Sequence, residues 1–514
     1  MGNHKRWTSA LLAAATLTAV TAIPAAAEGS AVVRTESGPV SGTVSDGYRT
    51  FQGIPFAAPP VGELRWKSPR PPKKWAGTRD ATKPGARCAQ SAGGATPSDA
   101  EDCLFLNVTT PGSAKGGPKP VMVWLHGGGN SYGSADGFDA HRLAVGGDVV
   151  VVTTNYRLGV FGFGGLPGLE GTGGFGLEDQ QAALRWVRAN AAAFGGDPGN
   201  VTLFGESGGS FDVCAQLTSP GARGLFQRAI MQSGSCSTTW PANGIIYGQP
   251  GKSAWASADA IAADGAALAA RHGCADVACL RLVSAHELAN DPLISQPTAA
   301  GFGNRVLPER PDRALAAGRF NRVPVITGTT RDEGRLTSAF TPHPFTEAQY
   351  QQLLGDGFGD RASRIAARYP TSKYGTPALA WAAVLTDGVW ACNQLADNKA
   401  LARKTTSFGF EFADRSAPTG YFPFPEDVPA GAFHSSDVAY LFDVADFVVT
   451  FTPEQQRLAD QMIRYWGRFA ATGDPNGHDL PRWSRFDGAV QSLAPGAIRP
   501  VDAGREHGCG FWAN

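Results

Sequence analysis

The chain of 514 residues shows no excess of either charge: Lys plus Arg and Asp plus Glu stand at 45 each. It therefore carries no basic stripe for nucleic acid and no acidic tail. Past the first residues no apolar run reaches the roughly 18 positions that a membrane span needs, so integral membrane association is not expected. Tight C-x-x-C pairs are missing, which removes the usual zinc pattern. Internal repeats and long linkers are missing as well. What is present is ordinary globular composition, 42% hydrophobic and 10% aromatic, with 65 Gly and 36 Pro that imply many turns on a large core.

The first 27 residues read as an export signal. Lys5 and Arg6 supply the charged start, Ala10 to Val20 the apolar stretch, and Ala25-Ala26-Ala27 the small-residue cleavage pattern, with the cut expected after Ala27. A secreted chain meets an oxidising compartment, where an even number of cysteines favours disulfides. The eight are Cys88, Cys103, Cys214, Cys236, Cys274, Cys279, Cys392 and Cys509. Spacing alone does not settle their connectivity.

Short β-branched runs alternate with helical stretches, which predicts an α/β fold around a mostly parallel sheet. The expected strands are Val121–Leu125, Val149–Thr154, Val201–Phe204, Ala229–Gln232, Val323–Thr327 and Phe408–Phe412. Most are apolar throughout, as strands covered on both faces are. The clearest helices are Leu177–Ala192 and Pro453–Ala471, and the stretches Cys236–Phe320 and Gly334–Lys404 read as helical insertions.

Gly205-Glu206-Ser207-Gly208-Gly209 matches G-x-S-x-G. Chance supplies about half a match in a chain this rich in glycine, and Gly129-Asn130-Ser131-Tyr132-Gly133 matches too. Context separates them. Ser207 follows the strand Val201–Phe204 and precedes a helical stretch, as a nucleophile elbow requires, whereas Ser131 sits in a loop. His126-Gly127-Gly128-Gly129 leaves the strand Val121–Leu125, where backbone N–H groups can face a developing oxyanion. Gly128, Gly129 and Gly208 are the candidate donors.

A histidine base is then sought after Ser207. His272, His286, His343, His434, His478 and His507 are available, and His434 is favoured because it lies in a loop after the strand Phe408–Phe412. The acid falls at Asp332 or Glu333, after Val323–Thr327; either carboxylate can hold an imidazole tautomer. Gly171-Thr172-Gly173-Gly174-Phe175-Gly176 satisfies a nucleotide-binding pattern, but no strand leads into it. Asn107-Val108-Thr109 and Asn200-Val201-Thr202 match glycosylation sequons yet border expected strands, so both are read as structural.

The chain resembles the type-B carboxylesterase family, which includes cholinesterases and bacterial para-nitrobenzyl esterases. The resemblance rests on Phe51-Gln52-Gly53-Ile54-Pro55-Phe56, Pro59-Pro60-Val61-Gly62, Glu101-Asp102-Cys103-Leu104-Phe105-Leu106-Asn107 and Asn155-Tyr156-Arg157-Leu158-Gly159. Phe194-Gly195-Gly196-Asp197-Pro198, Gln232-Ser233-Gly234-Ser235 and Gly473-Asp474-Pro475-Asn476 continue it. It implies an α/β-hydrolase fold over residues 28–514. It implies Ser207 as nucleophile, Glu333 as acid and His434 as base, with Glu206 and Ser233 in support. It also implies the disulfides Cys88–Cys103, Cys274–Cys279 and Cys392–Cys509, and leaves Cys214 and Cys236 unassigned.

Two departures from the family stand out. Asn130 occupies a position where an aromatic or apolar residue is common, and the short loop between Cys88 and Cys103 has no tryptophan, which argues against choline specificity. The expected activity is hydrolysis of small-molecule carboxylic esters through an acyl-enzyme, with no metal or other cofactor. A lipase acting on longer-chain glycerides and a non-catalytic binding protein on the same fold are the rival readings. Burial and the carboxylate of the acid are expected to offset, leaving the base with an apparent pKa of about 6–7.

Overall fold

The computed structural model describes residues 1–2, 29–91, 96–112, 116–293, 298–420, 422–445 and 448–513. Lys5 through Ala27, with the expected cleavage point, lie outside them.

The central sheet contains β1 (Gly29–Thr35), β2 (Gly38–Ser45), β3 (Tyr48–Pro55), β4 (Phe105–Pro111), β5 (Lys119–Leu125), β6 (Val150–Thr154), β7 (Gly196–Glu206), β8 (Arg228–Gln232), β9 (Val325–Thr330), β10 (Ser407–Phe412), β11 (Val490–Leu493) and β12 (Arg499–Val501). Their spatial order is β1-β2-β3-β4-β6-β5-β7-β8-β9-β10-β11-β12. From β6 to β11 every pairing is parallel; the flanks are antiparallel apart from the two-residue strand Arg79–Asp80, which pairs parallel to β2. The chain leaves β5 for β6 on one side and then crosses to β7 on the other. The carboxyl ends of β5 and β7 thus flank the point where the strand order reverses, the crevice where open α/β sheets bind ligands.

Side-chain alternation along β5 feeds two cores. Val121, Val123 and Leu125 pack with α1 (Phe175–Asn190) and α2 (Gly208–Thr218), through Leu184, Val187, Val213 and Leu217. Met122 and Trp124 pack on the other face with α3 (Pro453–Thr472), through Leu458, Met462, Trp466 and Phe469. The start of α3 is fixed by Pro453 in its first turn and a capping box between Thr452 and Gln455; Gly473 ends it at φ 80°.

The expected elements are present, with two corrections. The strand expected at Val323–Thr327 runs Val325–Thr330 instead. Pro324 has no N–H for a ladder, and Gly328-Thr329-Thr330 stays buried and paired with β10. The Cys236–Phe320 insertion is mixed: it carries Ala258–Arg271 and shorter helices, but also the paired strands Thr239–Trp240 with Lys252–Ser253 and Trp255–Ser257 with Ala300–Phe302. Asn107 and Asn200 are both engaged internally, Asn107 with Gly53 and Thr153, Asn200 with Arg228 and Ala471.

Four disulfides are formed: Cys88–Cys103, Cys274–Cys279, Cys392–Cys509 and Cys214–Cys236. The last fastens α2 to the loop that follows β8. Among the described residues no helix is long and apolar enough to cross a membrane, and no cluster of His, Cys, Asp and Glu could hold a metal ion.

Beside Cys392–Cys509 the C-terminal segment is clamped by charge. His507 bonds Asp387 Oδ1 through Nδ1 and Glu411 Oε1 through Nε2, both at 2.6 Å, while Arg331 reaches Glu411 and Glu506. Burial would lower the imidazole, but the two carboxylates outweigh it and raise it to about 10. A histidine in the unfolded chain titrates near ~6.5, so this contribution to stability is whole below that value and fades as pH climbs toward 10. The wild type should melt well above His507→Gln at pH 6, and the gap should shrink by pH 9.5. Thermal melts of the two proteins across this range test it; a constant gap would mean that His507 is neutral in the fold.

Candidate active site

β7 ends at Glu206 and α2 begins at Gly208, leaving Ser207 alone in the turn with φ 53° and ψ −119°. A non-glycine residue holds such a conformation only where its surroundings enforce it. Here the Ser207 N–H donates to the Gln232 carbonyl at 2.9 Å. A Cβ on Gly209 would collide with the Leu125 carbonyl, and one on Gly208 would lie 2.7 Å from the Gly129 nitrogen. Small residues at these two positions let the elbow press backbone to backbone on the loop that leaves β5.

That loop is His126-Gly127-Gly128-Gly129. None of the N–H groups of Gly128, Gly129 and Gly208 has an acceptor among the described residues. Gly128 and Gly129 line, with Ser207, a cavity of about 890 Å³, and the Gly208 backbone abuts the Gly129 nitrogen. Ser131, the rival serine, is tied up elsewhere, with Gly129 O and with Thr298 Oγ1 at 2.9 Å.

The Ser207 hydroxyl lies 2.9 Å from His434 Nε2, and His434 Nδ1 lies 2.6 Å from Glu333 Oε2. Glu333 is fully buried, and its other oxygen accepts the Thr330 N–H at 2.8 Å. Asp332 points away from the imidazole. It pairs with Arg415 and Arg335 and accepts the Ala432 N–H at 3.0 Å, which fixes the chain just ahead of His434. Of the other histidines, His272, His286 and His343 pair with Asp291, Asp99 and Asp427, and His507 belongs to the C-terminal clamp.

Glu206 lies against the same imidazole: its Oε1 is 3.4 Å from His434 Nε2 and accepts the Ser435 hydroxyl at 2.7 Å. Ser233 is fully buried; its N–H donates to the Gly328 carbonyl at 2.8 Å, and its hydroxyl has no hydrogen-bond partner among the described residues. Sequence reading missed a further layer. Asp437 accepts from Gln232 Nε2 at 2.7 Å, Gln232 accepts from Trp466, and Trp390 packs its ring on His434 with centroids 4.7 Å apart. Trp390 follows the turn at Thr386, whose hydroxyl receives the Gly334 N–H and so supports the acid loop.

These carboxylates set the electrostatics. Burial works to lower His434, but the charges of Glu206 and Glu333 outweigh it and raise the imidazole to about 9. Burial raises Glu206 to about 8, against the pull of His434. Burial likewise lifts Asp437 to about 6. The offset expected from one carboxylate is thereby replaced by an upward shift, because the imidazole has three carboxylates around it. Glu206 contributes to that shift only when ionised, and burial, which raises its own pKa, works against that contribution.

The carboxylesterase family's sequence profile matches residues 29–512. The chain is 33% identical over 483 residues to the para-nitrobenzyl esterase of Bacillus subtilis (strain 168), covering 87% of this chain and 90% of that protein. It is 33% identical over 520 residues to the cocaine esterase of Homo sapiens, covering 91% and 87%. A solved structure of a thermophilic PNB esterase superposes with a TM-score of 0.77 at 30% identity, over 93% of this chain and 99% of that one. The architecture is the α/β-hydrolase fold.

The upward shift can be measured without turnover. With ¹⁵N-labelled histidine, NMR should place the His434 titration above 6.5, and Glu206→Gln should lower it by about one unit or more, as removal of an adjacent charge does. A His434 that titrates below 6.5 and ignores Glu206→Gln would mean that burial, and not the carboxylates, governs it.

Proposed function

The chain belongs to the carboxylesterase family and is a serine hydrolase of carboxylic esters, and from that premise we propose which residues do the chemistry. His434 Nε2 takes the proton of Ser207 as Oγ attacks the ester carbonyl. Glu333 holds the tautomer and stabilises the imidazolium. The carbonyl oxygen becomes an oxyanion facing the N–H groups of Gly128, Gly129 and Gly208. Collapse expels the alcohol, which receives the proton from His434 and leaves an acyl group on Ser207. Water, deprotonated by His434, then attacks the acyl carbon and releases the acid. The observation that carries this reading is the unbroken line from Ser207 Oγ to His434 to Glu333, at 2.9 and 2.6 Å.

The cavity supports esters larger than acetates. Phe211, Trp240 and Trp390 form an aromatic cluster beside His434, and Ile246, Tyr247 and Phe340 line the cavity while remaining exposed. This apolar rim favours acyl chains of medium to long length, the direction in which a lipase would lie. Four disulfides and the signal-like first 27 residues support a secreted protein.

Ser207→Ala should lose ester hydrolysis by several orders of magnitude and escape fluorophosphonate labelling, while Ser131→Ala keeps both. Substantial turnover by Ser207→Ala would refute the nucleophile. Glu333→Gln should lower kcat by about 10²–10⁴-fold, whereas Asp332→Asn should chiefly lower the melting temperature, since Asp332 holds Arg415 and the Ala432 N–H. A nitrophenyl ester series from acetate to dodecanoate should show kcat/KM rising beyond acetate; a maximum at acetate would contradict the reading of the cavity.

A further inference from the structure

Asn130, the residue after the glycine loop, is buried and sits at φ 59°. Its amide does not simply make the cavity wall polar. Nδ2 donates to Asp212 Oδ1 at 3.2 Å, and Oδ1 has no hydrogen-bond partner among the described residues. Asp212 is fully buried on α2, five residues beyond Ser207, and its second oxygen accepts from Gln180 Nε2 on α1 at 2.5 Å. Gln180 in turn accepts from Gln216 Nε2 at 2.9 Å, and Gln216 accepts from Gln181 at 2.9 Å. One carboxylate therefore ties together the loop leaving β5, the elbow helix α2 and the crossover helix α1.

Burial leaves Asp212 at about 7 despite the two amide donors; among the described residues no cation is a cause of its shift, and its charge helps to raise Tyr156. An apolar side chain of that size would be cheaper for the fold, so packing alone does not account for a carboxyl here. What it holds is next to the chemistry. A Cβ on Gly208 would lie 2.7 Å from the Gly129 nitrogen and 3.0 Å from the Asn130 nitrogen, so the elbow and the glycine loop have no slack between them.

We propose that Asp212 is a positioning residue for ester hydrolysis: through Asn130 it locks the Gly128-Gly129 loop against the elbow, so that the N–H groups of Gly128, Gly129 and Gly208 converge on the oxyanion. This rests on the oxyanion assignment made above. The lock acts on the transition state and leaves binding of the uncharged ester largely alone.

Asn130→Gly removes the amide while accepting φ 59° without strain. Asp212→Asn keeps the shape, but its single carbonyl oxygen can serve only one of the two N–H donors. With a 4-nitrophenyl ester, each variant should lower kcat by about 10–100-fold per site titrated with fluorophosphonate, the scale expected of a displaced catalytic group. KM should stay within about threefold. Affinity for a trifluoromethyl ketone, whose adduct with Ser207 places an oxyanion in the same position, should fall in step with kcat. The double variant should be no worse than the worse single, because both break one lock. Unchanged kcat in Asn130→Gly with only a lowered melting temperature would overturn the proposal, and so would losses that multiply in the double variant. If Asp212→Asn fails to fold, Asn130→Gly decides alone. Turnover surviving in Ser207→Ala would sink the underlying reading, whereas Ser207-dependent turnover that ignores Asn130→Gly sinks only this one.

Discussion

The contact of backbone with backbone between the end of β5 and the turn after β7 is the constraint on which the rest of the site depends. Gly209 lies against the Leu125 carbonyl, and Gly208 against the nitrogens of Gly129 and Asn130. No side chain fits between them, so the elbow and the loop meet peptide unit against peptide unit, and the Asn130–Asp212 hydrogen bond ties the same loop to α2. Parallel pairing of β5 with β7 keeps the two carboxyl ends level, and the two-sided core around Met122, Val123 and Trp124 holds the strands in register.

A second consequence of that geometry is electrostatic. The elbow puts Glu206 beside the same imidazole that Glu333 orients, and the turn after His434 adds Asp437 below. Three carboxylates around one ring favour the imidazolium, the form that His434 takes when it holds a proton. Burial works the other way and keeps the groups from all being charged at once. Ser435, at φ 72°, donates its hydroxyl to Glu206 and so occupies one of that carboxylate's oxygens.

How much of this could be read from residues follows from where each signal resides. β5 and the core of β7 were legible because they are apolar runs, and Ser207 because a strand leads straight into its glycines. Family resemblance, and not chemistry, separated Glu333 from Asp332, since both are carboxylates in one loop. The meander β1–β3 was not among the expected strands: Gly38-Pro39-Val40-Ser41-Gly42-Thr43 has few apolar residues and is strand only because its neighbours pair with it. Asp212, Asp437 and Gln180 were illegible for another reason. A buried polar residue reads as a surface residue until its partner, many positions away, is placed beside it.

The line from Ser207 to His434 to Glu333 also has a history along the chain. Its members stand at 207, 333 and 434, the loop that faces them at 126–129, and the clamp on the acid loop's Arg331 is completed only by Glu411 and Glu506. A chain emerging from its N-terminus cannot assemble this arrangement until β9, β10 and the segment after them have paired. Contacts this distant in sequence close late in folding. On the proposed assignment, activity toward esters belongs to the finished polypeptide, because Ser207, Glu333 and His434 come together only once the last parallel strands have paired.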